Sequence, residues 1–179
     1  MRRAAALFTS EDGAAAAEMI LVAPILLVLL MGTFELGNYF RSEHILVEGL
    51  RDGARYAARQ PFATYKDNCG TTLATSDTVR TQTLNVVRTG QVSGGTDRLP
   101  NWTNGSVIFN VSVTCSTAVG GQTLSGIYRD NNSSAGAFIG APIVTVTAQV
   151  PYRPVVAKYG FSGIGLTISG NQQAAVMGN

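Results

Sequence analysis

The sequence predicts an α+β protein in which a long N-terminal transmembrane and stalk helix packs on a small antiparallel β-sheet. Three observations predict this class. A nearly uncharged apolar run covers Gly13 to Phe34, a segment with helical periodicity follows it and stops before Pro61, and later segments alternate between apolar and polar residues. A chain of 179 residues has room for one such helix and one small domain, with a single modest core.

The apolar run predicts a transmembrane helix over residues 14–38. At about 1.5 Å per residue, a helix of this length reaches the roughly 30 Å of a bilayer core. Pro24 lacks a backbone N–H and should kink the helix without changing its apolar character. Glu18 is the only charged residue between Gly13 and Phe34, and it lies close to the start of the run.

The same helix is predicted to continue as an amphipathic stalk over residues 39–60. Pro61 disfavours helical backbone at the residue before it, so the helix should end at Gln60. The apolar stripe of this part requires a surface to cover it, and the sheet of the same chain is the expected one. The stripe consists of residues recurring at spacings of three, four or seven: Leu36, Phe40, Val47, Leu50, Ala54 and Ala57.

The remaining residues, 61–179, are predicted to form the small α+β domain. After a loop to Ser76, a short helix is expected over residues 77–89, capped by Ser76 and ended by Gly90. Period-two alternation predicts antiparallel strands in three segments, 107–115, 144–150 and 166–176. The long connection from Ser116 to Ala141 should be either functional or disordered.

The residue inventory argues against catalysis and against metal or nucleic-acid binding. His44 is the only histidine and falls on the predicted stalk, where a surface or packing role is expected. A zinc site needs more ligands than one histidine and two distant cysteines provide, and there is no phosphate-binding glycine loop, so no cofactor is expected. The net charge of +2 is spread along the chain without a basic stripe that would suit nucleic acid.

Two cysteines, Cys69 and Cys115, lie in the polar part of the chain. They are expected either to form a disulfide, worth up to about 4 kcal/mol on the chain-entropy model, or to be buried free thiols. A disulfide is the preferred interpretation because a small exported domain gains from a cross-link. The arginines flanking the apolar run do not fix the orientation, but the cysteines favour an extracytoplasmic C-terminal domain.

The residues from Gly13 to Glu18 suggest a processing site. Met1 to Gly13 reads as a leader peptide, and a cut after Gly13 would give Ala14 a new ammonium group about one helical turn from Glu18. In a stack of parallel helices, the Glu18 carboxylate of one subunit could neutralise the amino terminus of a neighbour. The alternative is an ordinary signal anchor in which Glu18 marks the headgroup boundary.

These residues, from Gly13 through Glu18 to Pro24, resemble type IVb prepilins, and specifically the TadE-like minor pseudopilins of the tight-adherence (Flp, Tad) pilus system. The resemblance extends to Phe34-Glu35-Leu36-Gly37 and to the segment from Gly49 to Ala58, and more weakly to the final strand region. It implies a pilin-like fold and cleavage by a prepilin peptidase between Gly13 and Ala14. It also implies partners: other pilin subunits through the N-terminal helix, and an inner-membrane assembly platform.

The resemblance implies a minor component that helps to start or cap a pilus used for adherence, because the chain carries a domain beyond its helix. The rival function is an unprocessed, signal-anchored adhesin or binding module that uses the connection from Ser116 to Ala141. Glu35 is expected to be a solvated boundary residue or to pair across helices. Arg51, Arg55 and Arg59 could meet anionic lipid or an acidic partner, but the preferred interpretation is a solvated face, because Glu48 and Asp52 are near enough to pair with them locally.

Overall fold

The computed structural model describes residues 11–102, 105–155 and 165–178, which fall into two compact units. The first contains the N-terminal part of the long helix, to Phe40, together with Pro154 and Val155. The second runs from Arg41 to Arg153 and includes the final described segment, 165–178. Most of the predicted leader, residues 1–10, lies outside the described residues.

Helix α1 spans Glu11–Ala58 and continues through Pro24. It begins two residues before the end of the predicted leader at Gly13, so the Gly13–Ala14 peptide bond lies in helical backbone. The helix ends two residues before the predicted Gln60, with Pro61 following as the sequence indicated. One continuous helix therefore contains both the apolar run and the periodic segment.

Four strands form the main antiparallel sheet, in the order β1-β2-β5-β6. Their bounds are Thr71–Thr72, Ile108–Ser116, Ala141–Pro151 and Thr167–Ala175. The register pairs Val111 with Val146, and Val146 in turn with Gln172. The three predicted strands are confirmed, while β1 was missed because two threonines carry no periodic signal.

The core of the second unit lies between the sheet and the C-terminal part of α1. Alternate residues of β2 and β5 are buried, and Gly170 of β6 lies so near α1 that an added Cβ would be 2.9 Å from Leu50 Cδ1. The predicted apolar stripe is buried at Leu50, Ala54 and Ala57, whereas Leu36 and Phe40 remain exposed. The principal buried side chains of these elements are Leu46, Leu50, Phe109, Val111, Val113, Val144, Val146, Val150 and Ile168.

Helix α2 spans Thr78–Thr89 and confirms the predicted short helix, but its N-cap is Asp77 and not Ser76. The Asp77 carboxylate accepts hydrogen bonds from the N–H groups of Val79 and Arg80, at 2.8 and 3.2 Å. These bonds satisfy donors that the first turn leaves unpaired. Gly90 ends the helix with φ of 80°, a left-handed conformation that glycine adopts without strain.

Cys69 and Cys115 form a disulfide, which is the preferred of the two predicted states. Their Cα atoms lie 5.4 Å apart, a normal separation for such a bond. Next to it along the two strands, Gly70 N–H donates to Val113 O and Leu73 N–H donates to Val111 O. The cross-link thus fastens the short edge strand β1 to β2.

The connection between β2 and β5 holds a small hairpin, β3 (Ala118–Val119) and β4 (Gln122–Thr123), followed by a 3₁₀ turn. Several hydrogen bonds attach this connection to the rest of the unit. Ser134 donates its O–H and N–H to the Asp67 carboxylate at 2.5 and 2.8 Å, and these bonds lower the pKa of Asp67. The connection was predicted to be either functional or disordered, and the structure shows it as an ordered segment.

Candidate functional site

The apolar part of α1 exposes its side chains to the surroundings. Large residues from Met19 to Leu30 are half to three-quarters exposed, and none of the most apolar stretch is buried. With a mean hydropathy of 2.4 over that stretch, α1 is long and apolar enough to cross a membrane. An apolar surface of this extent requires lipid or other apolar helices to cover it.

Glu18 lies on this exposed surface, near the start of the helix. Within the described part of the chain, no ion pair involves its carboxylate. Its predicted partner is the ammonium group that cleavage after Gly13 would create on Ala14. Gly13 is exposed.

Glu35, at the other end of the apolar run, has a partner that neither sequence interpretation included. Its two carboxylate oxygens accept the backbone N–H of Val155, at 3.2 and 3.1 Å. Val155 follows strand β5 and lies 120 residues away in sequence. No local pattern in the sequence could have identified this contact.

Helix α2 comes close to α1 at Gly49 and Gly53, the two glycines of the segment from Gly49 to Ala58. A Cβ on Gly49 would lie 2.5 Å from the carbonyl oxygen of Val87, and one on Gly53 would collide with the Val87 side chain. Two glycines one helical turn apart therefore leave a flat strip on α1 that accepts the backbone of α2. The sequence motif is explained by this close contact between helices.

Two polar contacts lie beside the glycine strip. Tyr56 O–H donates to the Gln82 side-chain oxygen at 2.7 Å. Arg98 forms an ion pair with Asp52 at 3.2 Å, so the predicted local pairing of Asp52 with the helix arginines is wrong. Arg98 lies outside α1, and two of its guanidinium N–H groups donate to one Asp52 carboxylate oxygen, at 3.2 and 3.3 Å. Two charge-assisted hydrogen bonds favour this pairing of Asp52.

Arg51, Arg55 and Arg59 are exposed, as is Glu48, in agreement with the predicted solvated face. His44 is likewise exposed on α1. In the ranges 11–102, 105–155 and 165–178, no group of three or more potential metal ligands occurs. In the described residues, the notable features of α1 are therefore its exposed apolar surface and its contacts with α2 and Arg98.

Residues 13–55 match a protein-family model described as TadE-like protein. This range begins at the predicted processing site and ends in the glycine strip, and it confirms the resemblance inferred from the sequence. It covers less than half of the chain and does not extend to the final strand region. No curated protein and no solved structure matches the chain.

Proposed function

We propose that this TadE-like protein is a minor pilin or pseudopilin of the tight-adherence pilus, processed by a prepilin peptidase after Gly13. The family match supports association with a Tad pilus. The observation that carries the finer assignment is the exposed apolar part of α1, with Glu18 at its beginning and no buried side chain in its most apolar stretch. A surface of this kind suits both a bilayer and a bundle of identical helices.

Assembly through α1 follows from the cost of the Glu18 charge. A carboxylate near the hydrocarbon boundary is unfavourable by about 2.5–3.5 kcal/mol at most on insertion scales, unless it is paired. Cleavage after Gly13 would place the ammonium group of a neighbouring Ala14 within reach of it. The pairing forms only between packed subunits, so it favours the assembled state over the isolated anchor.

The proposal places the chain in the bacterial inner membrane with its C-terminal domain outside the cytoplasm. Its partners would be the prepilin peptidase, other pilin or pseudopilin subunits that contact α1, and the inner-membrane assembly platform. The role is structural, in the initiation or assembly of the pilus, and we propose no catalytic function. The disulfide of the second unit agrees with an oxidising compartment.

Determining the N-terminus of the native protein tests the processing step directly. Purification from its own cells, followed by intact mass measurement, should give a chain that begins at Ala14. A chain that retains Met1 and supports normal piliation would overturn the proposal and favour the unprocessed adhesin.

Replacing Glu18 by alanine tests the charge pair. The variant Glu18→Ala should insert into the membrane as well as wild type, since a charge is removed, while surface pili fall strongly in number. Glu48→Ala is the matched control, because Glu48 is an exposed glutamate of the same helix outside the apolar run. Piliation should be measured by quantitative electron microscopy, and normal piliation of Glu18→Ala would contradict the assembly role.

A further inference from the structure

We propose that Val155, four residues after the end of β5, makes a second contact with the membrane at the outer lipid boundary, where Glu35 holds it. This inference rests on the proposed membrane anchoring of α1. Its starting point is the bond from the Val155 N–H to the Glu35 carboxylate, which lies within the first compact unit. The partner is the lipid bilayer itself.

The depth of Val155 follows from the helix geometry. From Ala15 to Glu35 the helix rises about 30 Å, which equals the thickness of the hydrocarbon core. If the N-terminal end of the apolar run lies at the inner boundary, Glu35 lies at the outer one. Because Val155 is hydrogen-bonded to Glu35, its backbone must lie at the same depth.

The side chains at this depth suit the boundary between hydrocarbon and headgroups. The Val155 side chain is 48% exposed. The apolar residues close to Glu35 on α1 are exposed as well, with values of 62% for Phe34, 54% for Leu36 and 56% for Phe40. Such side chains gain from contact with acyl chains because the contact removes their apolar surface from water.

The hydrogen bond from the Val155 N–H also lowers the free-energy cost of placing the Glu35 carboxylate at the lipid boundary. A carboxylate that leaves water loses solvation, and an N–H donor restores part of it. The hydrogen bond therefore holds Val155 beside Glu35 and at the same time reduces the desolvation cost of the Glu35 carboxylate.

Tryptophan quenching in vesicles tests the inference on the full-length chain. The variant Val155→Trp is reconstituted into phosphatidylcholine vesicles containing phosphatidylglycerol and lipids brominated either near the carbonyl end or near the terminal methyl of the acyl chain. Wild type supplies the background, because its single tryptophan, Trp102, is buried.

The shallow bromines should quench Val155→Trp more than the deep ones, and more than they quench wild type. Adding Glu35→Ala to Val155→Trp should reduce that quenching, because the hydrogen bond that holds Val155 at this depth is lost. Quenching of Val155→Trp no greater than that of wild type would overturn the inference.

A further variant separates this inference from the proposed anchoring. Leu27 lies in the middle of the apolar run and is 57% exposed, so Leu27→Trp should be quenched mainly by the deep bromines. Deep quenching of Leu27→Trp without quenching of Val155→Trp refutes the second contact and leaves the anchor intact. Absence of quenching at Leu27→Trp refutes the anchor, and the second contact with it.

Discussion

Tyr65 shows how one side chain joins the loop after α1 to the helix itself. Its side chain is fully buried, and its O–H donates to the carbonyl oxygen of Ala57 at 2.7 Å. Burial is the main cause of a raised pKa for Tyr65, and the nearby charge of Asp77 adds to it. The neutral phenol is therefore the form that the folded chain requires.

This environment predicts a loss of stability in alkali. The folded-state pKa of Tyr65 is raised above the ordinary value of about 10, so its contribution is complete below pH ~10 and decreases as the pH rises beyond that value. Urea unfolding of the detergent-solubilised protein, measured at neutral and alkaline pH, should show this decline.

The variant Tyr65→Phe should be less stable than wild type at neutral pH by about 0.5–1.5 kcal/mol, because it loses one hydrogen bond. It should also show a smaller alkaline decline. Tyr128→Phe is the control, since Tyr128 donates to the Val176 carbonyl from a partly buried position. An alkaline decline that is the same in Tyr65→Phe and wild type would show that Tyr65 is not its source.

At the scale of elements, the contact between α1 and α2 depends on backbone proximity that only glycine allows. The atom facing Gly49 is a backbone oxygen, Val87 O, which cannot move by changing rotamer. By contrast, the glycines of α1 at positions 32 and 37 have open space around them. Gly49 and Gly53 are therefore needed for the contact with α2, whereas Gly32 and Gly37 are not.

The variant Gly49→Ala should consequently destabilise the second unit. Alanine favours helix over glycine by about 1 kcal/mol, but separation of the packed helices costs about 1–3 kcal/mol, so the net effect should be a loss. Gly37→Ala provides the matched control on the same helix, and it should be neutral or slightly stabilising. Thermal unfolding by circular dichroism in detergent compares the two, and a Gly49→Ala protein as stable as Gly37→Ala would contradict the close packing.

Elements with a strong period were predictable from sequence, and contacts between distant residues were not. The alternation in β2 and β5 and the apolar run of α1 each contain enough residues to define a face. The N-cap of α2 was misplaced by one residue, because Ser76 and Asp77 are both good caps and the backbone conformation decides between them.

The same distinction applies to the candidate site. Glu18 and the glycines of α1 stand out within one local stretch of sequence, and the match to residues 13–55 covers them. The bonds from Glu35 to Val155 and from Asp52 to Arg98 join residues 120 and 46 positions apart, so only the folded chain brings them together. The sequence therefore predicted the helix but not the hydrogen-bond partners of its residues Glu35 and Asp52.

At the scale of the whole molecule, the disulfide connects stability with topology. A bond that closes a sequence separation of 46 residues is expected to add about 2–4 kcal/mol by restricting the unfolded chain. It persists only where the surroundings are oxidising. The redox state of Cys69 and Cys115 in cells therefore reports the side of the membrane on which the second unit lies.

Both cysteines should be oxidised in the native protein, because the second unit is proposed to lie outside the cytoplasm. Alkylation with a maleimide polymer in denatured cell extracts should shift the protein on a gel only after reduction. The double variant Cys69→Ser/Cys115→Ser is the control, since it cannot shift under either condition. Alkylation of wild type without prior reduction would place the second unit in the cytoplasm and contradict the proposed orientation.

The double variant should also unfold at a lower urea concentration than wild type. Reductant should lower the urea midpoint of wild type without affecting the midpoint of the double variant.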